Sequence, residues 1–249
     1  MMDKTLSLFE NRKTEINFYF STLNTFSGDT KKMQTCDNEQ FLRILKSNFI
    51  LMLYNLVEAC IVSGLLEIYE SLKNSFSEYT ALVDELQTIW SNHKIGEIYS
   101  GKSGKSAYEN KVKEIIKQVV TNQPIILTRE TLKISGNLDA RKIKSLCDKH
   151  RIRYTVSDDK GYLKTVKDKR NSLAHGDESF GDCTRDMSLN DLEQIKNGVI
   201  EFITQILNGM KEYHDNKCYL RKNEEKQNEV KYPSLSADKI RPNKETSHA

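Results

Sequence analysis

The strongest constraint on the fold is an apolar run of 18 residues, from position 49 to position 66. This run is long enough to cross a bilayer, but Asn55 and Glu58 lie near its middle. An acidic group at the centre of a bilayer costs roughly 2.5–3.5 kcal/mol on insertion scales. We therefore predict a central helix over about 37–74 that is buried in protein on most sides, with Gly64 as a point where it could bend.

Asn55 and Glu58 are three residues apart, so they share one face of this helix. A buried carboxylate is unfavourable unless a cation or donor is paired with it. Two interpretations follow for Glu58. It forms a salt bridge that fixes the register of the helix, or it holds Arg170 in place.

Helical periodicity recurs along the chain, and three prolines among 249 residues leave room for long helices. The sequence therefore predicts an all-α fold. Ser188 is a candidate N-cap for the last helix, and Gly176 suits the position after a helix that ends near His175. The predicted helices cover residues 6–26, 37–74, 77–90, 107–121, 162–174 and 188–214.

Residues 123–161 depart from this regular pattern, and we predict a small mixed insert packed beside the helical body. Residues 125–133 are predicted to form a short strand, or a loop followed by a turn, and residues 152–156 a short strand. Asp139 could cap a helix over 140–150. From residue 215 to 249 the sequence is charged and unpatterned, which predicts a disordered tail.

The cysteines and the N-terminus indicate a cytoplasmic protein without a metal site. The five cysteines are widely spaced with no C-x-x-C pair, which is typical of free thiols in a reducing compartment. Residues 1–11 carry Asp3, Lys4 and Glu10 and contain no apolar core, so we expect no signal peptide. We also expect no cofactor and no membrane association.

Residues 101–106 read Gly-Lys-Ser-Gly-Lys-Ser and look like part of a phosphate-binding loop. That motif requires a glycine five residues before Gly104, where this chain has Tyr99. It also requires a preceding strand, which residues 90–99 do not indicate. We predict a flexible basic loop here and no nucleotide site.

A basic segment leads into the region around Arg170. Residues 141–170 contain eleven Lys and Arg but four Asp, a local charge of +7 against +3 for the whole chain. Such a segment fits a phosphate-rich partner such as RNA, with Lys164, Lys167 and Lys169 as the candidate RNA contacts. The alternative is an ordinary solvated helix face.

The segment 169–176 combines Arg170, Asn171 and His175. Asn171 and His175 are about 40° apart on a helical wheel, so Asn171 could orient the imidazole. Arg170 and His175 are about 140° apart, so one regular helix does not bring them together. Either the helix distorts at His175, or a two-fold dimer completes the site.

These side chains suit metal-independent RNA cleavage. Histidine titrates near neutral pH and can take the proton of a 2′-hydroxyl, while the arginine fork stabilises charge on the adjacent phosphate. The alternative is that an arginine precedes a histidine by chance and that His175 only caps the helix C-terminus.

Arg170-Asn171, three further residues and then His175-Gly176 resemble the signature of the HEPN superfamily, the higher eukaryotes and prokaryotes nucleotide-binding domains. The family pattern is an arginine, four to six residues and a histidine, with a polar residue often following the arginine. Residues 53–58, 136–139 and 166–180 look like a bacterial subgroup of this family. The resemblance covers about 1–214 and leaves out the tail.

The resemblance implies an up-and-down helical bundle that forms a homodimer. Many members of the family are metal-independent ribonucleases with a composite site at the dimer interface, and many are toxins or phage-defence effectors that cut tRNA or other cellular RNA. By this resemblance Arg170 and His175 would be catalytic, Asn171 supporting, and Glu58 a weaker member of the site. An antitoxin or a neighbouring-gene protein would be a further partner. The alternative is a non-catalytic HEPN subunit for dimerisation or ligand binding.

Overall fold

The computed structural model describes residues 2–28, 36–100, 105–134 and 136–221. Across these ranges the chain forms helices and isolated β-bridges (Glu78 with Pro124, Leu82 with Leu220), without a strand. This confirms the all-α fold class. The helices are α1 Asp3–Gly28, α2 Cys36–Asn74, α3 Asp84–Ser100, α4 Lys105–Val120, α5 Arg129–Leu132, α6 Ala140–His150, α7 Tyr162–His175 and α8 Leu189–Asp215.

Helix α2 is the centre of an up-and-down bundle and packs against α1, α7 and α8. Helix α1 runs antiparallel to α2, since the Lys4 ammonium reaches Glu70 and the Tyr19 hydroxyl donates to the carbonyl of Leu45. By length and composition α2 could cross a membrane, yet 61% of its most apolar window is buried inside the protein. This packing confirms the predicted central helix.

Two details of α2 differ from the prediction. Asn55 is exposed, so the polar face of α2 opens to solvent and the helix is not buried all round. Gly64 serves close packing, because a Cβ added there would lie 2.5 Å from the sulfur of Met210 in α8. A bend is therefore not needed to explain this glycine.

Local sequence signals set the ends of α6 and α8 as predicted. The carboxylate of Asp139 accepts the backbone N–H of Lys142 at 2.9 Å and caps α6. Ser188 caps α8 in a reciprocal arrangement with Asp191, which satisfies free N–H groups at the helix start. Helical spacing predicts an apolar stripe on the last helix, and all of its members are buried: Leu192, Ile195, Val199, Phe202, Ile203, Ile206 and Met210.

The third helix was predicted wrongly at both ends. Residues 77–83 form bridges and a 3-10 turn at Tyr79–Ala81, and α3 continues to Ser100, well beyond the predicted end at residue 90. The phosphate-loop resemblance falls largely on residues 101–104, which lie outside the described residues.

The insert and the start of the tail also differ from the prediction. Residues 152–156 form no strand, and Ile152 packs into the core. Residues 125–133 form no strand either and contain the short helix α5. Residues 216–221, assigned to the tail, pack on the bundle: Tyr219 is 2% exposed, and its carbonyl accepts the N–H of Val83 at 3.1 Å. Residues 222–249 lie outside the described residues. The described cysteine side chains, Cys60, Cys147, Cys183 and Cys218, are buried, and none of them is in a disulfide, which agrees with the predicted absence of a disulfide framework.

Candidate functional site

Helix α7 carries the Arg170–His175 segment on the surface of α2. The Asp158 carboxylate accepts the N–H of Tyr162 at 2.8 Å at the start of the helix. Gly176 ends the helix with a φ of 75°, a left-handed conformation that glycine adopts without strain, and this confirms the predicted end. Helical spacing predicts that Val166, Leu173 and Ala174 face inward. Val166 is buried, but Ala174 is exposed.

Arg170 is held by three neighbours. Its Nη1 donates to the carbonyl of Gly136 and to Oδ1 of Asn171, both at 3.0 Å. The guanidinium also lies 4.6 Å from the centroid of the Tyr54 ring on α2, within the range of a cation–π interaction. Two hydrogen bonds and a ring face fix both the position and the plane of the guanidinium.

Loop 136–139, which supplies Gly136, is hydrogen-bonded to both α7 and α2. Asn171 Nδ2 donates to Oδ1 of Asn137 at 2.7 Å, and Leu138 N donates to the buried hydroxyl of Tyr54 at 3.1 Å. Asp139 accepts from Lys167 at 3.3 Å. Loop 136–139 thus connects the insert to the segment that carries Arg170.

Asn171 does not orient His175, contrary to the prediction. Its two amide atoms bond to Arg170 and Asn137, and across the described chain no hydrogen bond joins it to the imidazole. The reason is that loop 136–139 offers Asn171 a partner from a distant part of the sequence. Its role in this protomer is to position Arg170.

Glu58 does not pair with Arg170 either. Among the described residues no ion pair joins them; instead both lie next to Tyr54, one beside the hydroxyl and one over the ring. Burial raises the pKa of Tyr54 and the Glu58 carboxylate adds to this rise, whereas the Leu138 N–H and Arg170 oppose it. Glu58 therefore interacts with Tyr54 and forms no ion pair with Arg170 among the described residues. Its carboxylate lines an open cleft of about 530 Å³ that also includes Arg12, Asn55 and Arg129.

His175 is the last residue of α7 and is exposed. Within the described part of the chain its imidazole has no hydrogen-bond partner. Arg170 instead lies over the ring of Tyr54 on α2. The structure therefore does not bring Arg170 and His175 together within one chain.

The three lysines predicted to bind RNA are all engaged in ion pairs. Lys164 binds Asp168 at 2.7 Å, and this pair is exposed. The side chain of Lys167 is only 18% exposed and bridges Asp139 and Asp168. Lys169 binds Glu178 at 3.2 Å. Internal carboxylates therefore neutralise much of the positive charge counted in this helix.

Tyr54, Gly136 and Asn137 are site residues that sequence reasoning did not assign. The segments 53–58 and 136–139 stood out by resemblance, but nothing in either segment indicated which side chains meet Arg170. Among the described residues there is also no cluster of three or more His, Cys, Asp or Glu able to hold a metal ion.

The family model described as HEPN_MAE_28990-like HEPN matches residues 1–219. The chain belongs to the HEPN superfamily, an all-α class of nucleotide-binding and ribonuclease-like domains. The match includes the Arg170–His175 segment, loop 136–139 and Tyr54, and it extends to the packed residues after α8. No curated protein and no solved structure matches the chain.

Proposed function

We propose that this protein is a metal-independent endoribonuclease that acts as a toxin or phage-defence effector on cellular RNA, with tRNA as the first substrate to test. The observation that carries the proposal is the fixed guanidinium of Arg170 on the same helix as an exposed histidine, His175. A positioned cation and an accessible imidazole are the two groups that this reaction requires.

The chemistry follows from these two groups. The neutral imidazole of His175 takes the proton of a ribose 2′-hydroxyl, and the oxygen attacks the neighbouring phosphorus. The P–O5′ bond breaks, a proton returns to the leaving 5′-oxygen, and a 2′,3′-cyclic phosphate remains. Arg170 stabilises the charge on the phosphoryl oxygens, for which a guanidinium has five N–H donors. Two of these serve Gly136 and Asn171, so three remain for phosphate.

A homodimer is part of the proposal. Arg170 and His175 lie on different faces of α7, so a single chain presents them in different directions. A two-fold axis beside α7 would place the His175 of one protomer opposite the Arg170 of the other. The exposure of His175 leaves it accessible to such a contact.

The test compares purified wild type with His175→Ala and Arg170→Ala on total cellular RNA in EDTA, with end-group analysis of the products. His248→Ala is the control, because His248 lies outside the family match over residues 1–219 and makes the same histidine-to-alanine change. We expect chelator-resistant cleavage with 2′,3′-cyclic ends by wild type and the control, and none by the two site variants. Cleavage that survives in a folded His175→Ala protein would overturn the assignment.

A non-catalytic HEPN subunit is the second candidate, and the internal bonding of the site favours it. Arg170, Asn171 and the three lysines all bind residues of their own chain, as purely structural side chains would. This candidate predicts that wild type does not cut RNA and that Arg170→Ala lowers stability or partner binding. A thermal melt of each variant beside the cleavage assay separates the two functions.

A further inference from the structure

Two adjoining cavities run along α6 on the insert side of the molecule. Their volumes are about 510 and 270 Å³, and they share Leu132, Lys133, Leu146 and Lys149. The smaller one continues to Leu138 and Lys142, and the larger one reaches α3. We call this continuous depression the α6 trough.

The walls of the trough carry unpaired positive charge. Within the described chain Lys133, Lys142 and Lys149 form no side-chain ion pair or hydrogen bond, in contrast to the three lysines of α7. The carboxylates on the trough are Asp84, which pairs with Arg221, and Glu85 at its α3 end. Three free ammonium groups thus face one unpaired carboxylate.

The floor of the trough is apolar. Leu132 and Leu138 belong to the core and are 7% and 3% exposed, and Leu146 packs against them half-buried. Lys142 and Lys149 are seven residues apart on α6, which separates their backbones by roughly 10 Å. A strand with successive phosphates can contact both lysines along this length of α6.

We infer that the α6 trough binds a single-stranded stretch of the RNA substrate, with phosphates on Lys133, Lys142 and Lys149 and bases on the leucine floor. A positively charged groove that follows the phosphate backbone is the sequence-independent part of single-strand binding. In the trough, leucines stand where such proteins usually carry aromatic side chains, so the lysines supply most of the expected affinity. The inference rests on the proposed function for the identity of the strand.

The position of the trough supports a link with the site. Leu138 lines the trough and its N–H donates to Tyr54, whose ring lies under Arg170. A strand in the trough would therefore lie next to the loop that positions the guanidinium. This gives the insert a role in substrate binding, which the charge count had assigned to the lysines of α7.

The experiment measures binding of a 5′-fluorescein single-stranded RNA by anisotropy. All proteins carry His175→Ala, so that the RNA is not cut. The trough variant is Lys133→Gln with Lys142→Gln and Lys149→Gln. The control variant is Lys73→Gln with Lys113→Gln and Lys117→Gln, which makes the same charge change at exposed lysines that line neither cavity.

We expect the trough variant to bind roughly tenfold or more weakly and the control to bind nearly as the parent does. Three lost phosphate contacts should also reduce the slope of log affinity against log salt by roughly 2, since each counts about 0.7 on a single strand. Ser145→Glu, an exposed change in the smaller cavity, should weaken binding with the fold intact.

Equal losses in the two triple variants, or an unchanged salt slope, would overturn the inference. Displacement of the labelled strand by micromolar adenosine monophosphate would also overturn it, because the trough would then hold a free nucleotide. Trough-dependent RNA binding by a wild type that does not cut RNA would refute the proposed ribonuclease but leave the trough assignment standing.

Discussion

Removal of the Tyr54 hydroxyl in Tyr54→Phe should loosen loop 136–139 without disturbing the stacking of Arg170. The phenyl ring keeps the face on which Arg170 lies. The N–H of Leu138, now donated to Tyr54 at 3.1 Å, would lose its acceptor in a site where both residues are at most 3% exposed. A buried donor left without a partner costs about 1–3 kcal/mol.

Tyr213→Phe is the matched control. Tyr213 is equally buried, at 3% exposure, but its hydroxyl has no hydrogen-bond partner within the described residues. Deleting that hydroxyl removes an unsatisfied polar group, so the change should be neutral or stabilising. The two variants delete the same atom and differ in whether a neighbour depends on it.

The assay is thermal unfolding followed by circular dichroism, supported by urea titration. For a chain of this size a loss of about 2 kcal/mol lowers the Tm by roughly 4–8 °C. We expect such a decrease for Tyr54→Phe and none for Tyr213→Phe. If the two variants have the same Tm, or if Tyr54→Phe is the more stable, the Tyr54 hydroxyl does not hold loop 136–139.

Gly209→Ala should destabilise the protein by about 1–3 kcal/mol in urea unfolding, because the new Cβ would lie 2.0 Å from the carbonyl oxygen of Arg153. Gly28→Ala should leave the stability unchanged, because a Cβ added there meets nothing within 4 Å. Equal losses in the two variants would contradict the close contact between Gly209 and Arg153. Burial lowers the pKa of His150 from 6.5 to about 4. Between these two pH values the imidazole is protonated in the unfolded chain but neutral in the folded one. The free energy of unfolding should therefore decrease by up to about 3 kcal/mol as the pH drops from 6.5 to 4. A His150→Gln protein should lose this part of the pH dependence in urea titrations, and an unchanged pH slope would refute the assignment.

The sequence predicted the elements whose signals are local. Helix α2 is defined by its own apolar run, α8 by its stripe and the Ser188 cap, and α7 by the glycine at its end. Each of these signals operates within a few residues of the position that it determines. For that reason the ends of these three helices were predicted to within a residue or two.

The contacts of the site could not be predicted, because they join distant parts of the chain. Arg170 and Asn171 bond to residues 34 positions earlier, and no periodicity records such a pairing. Glu58 looked like a partner for Arg170 only because both needed one. The structure places Tyr54 between them instead.

Charge counting did not show which lysines are paired, for a related reason. The sum of +7 over residues 141–170 omits Glu178, which pairs with Lys169 from outside the window. It also includes Lys167, whose ammonium lies between two carboxylates. Only the folded structure shows which lysines are paired and which, in the α6 trough, are not.

The hydrogen bond from Leu138 to Tyr54 also has a consequence for amide hydrogen exchange. Leu138 lies in a loop, where backbone amides usually exchange through small local openings. Its N–H, however, is donated to a hydroxyl buried on the central helix, so exposing it requires separating loop 136–139 from α2. The Leu138 amide should therefore exchange as slowly as the core of α2. In a chain whose site residues come from several elements, that one amide reports whether the site opens on its own or only when the whole bundle unfolds.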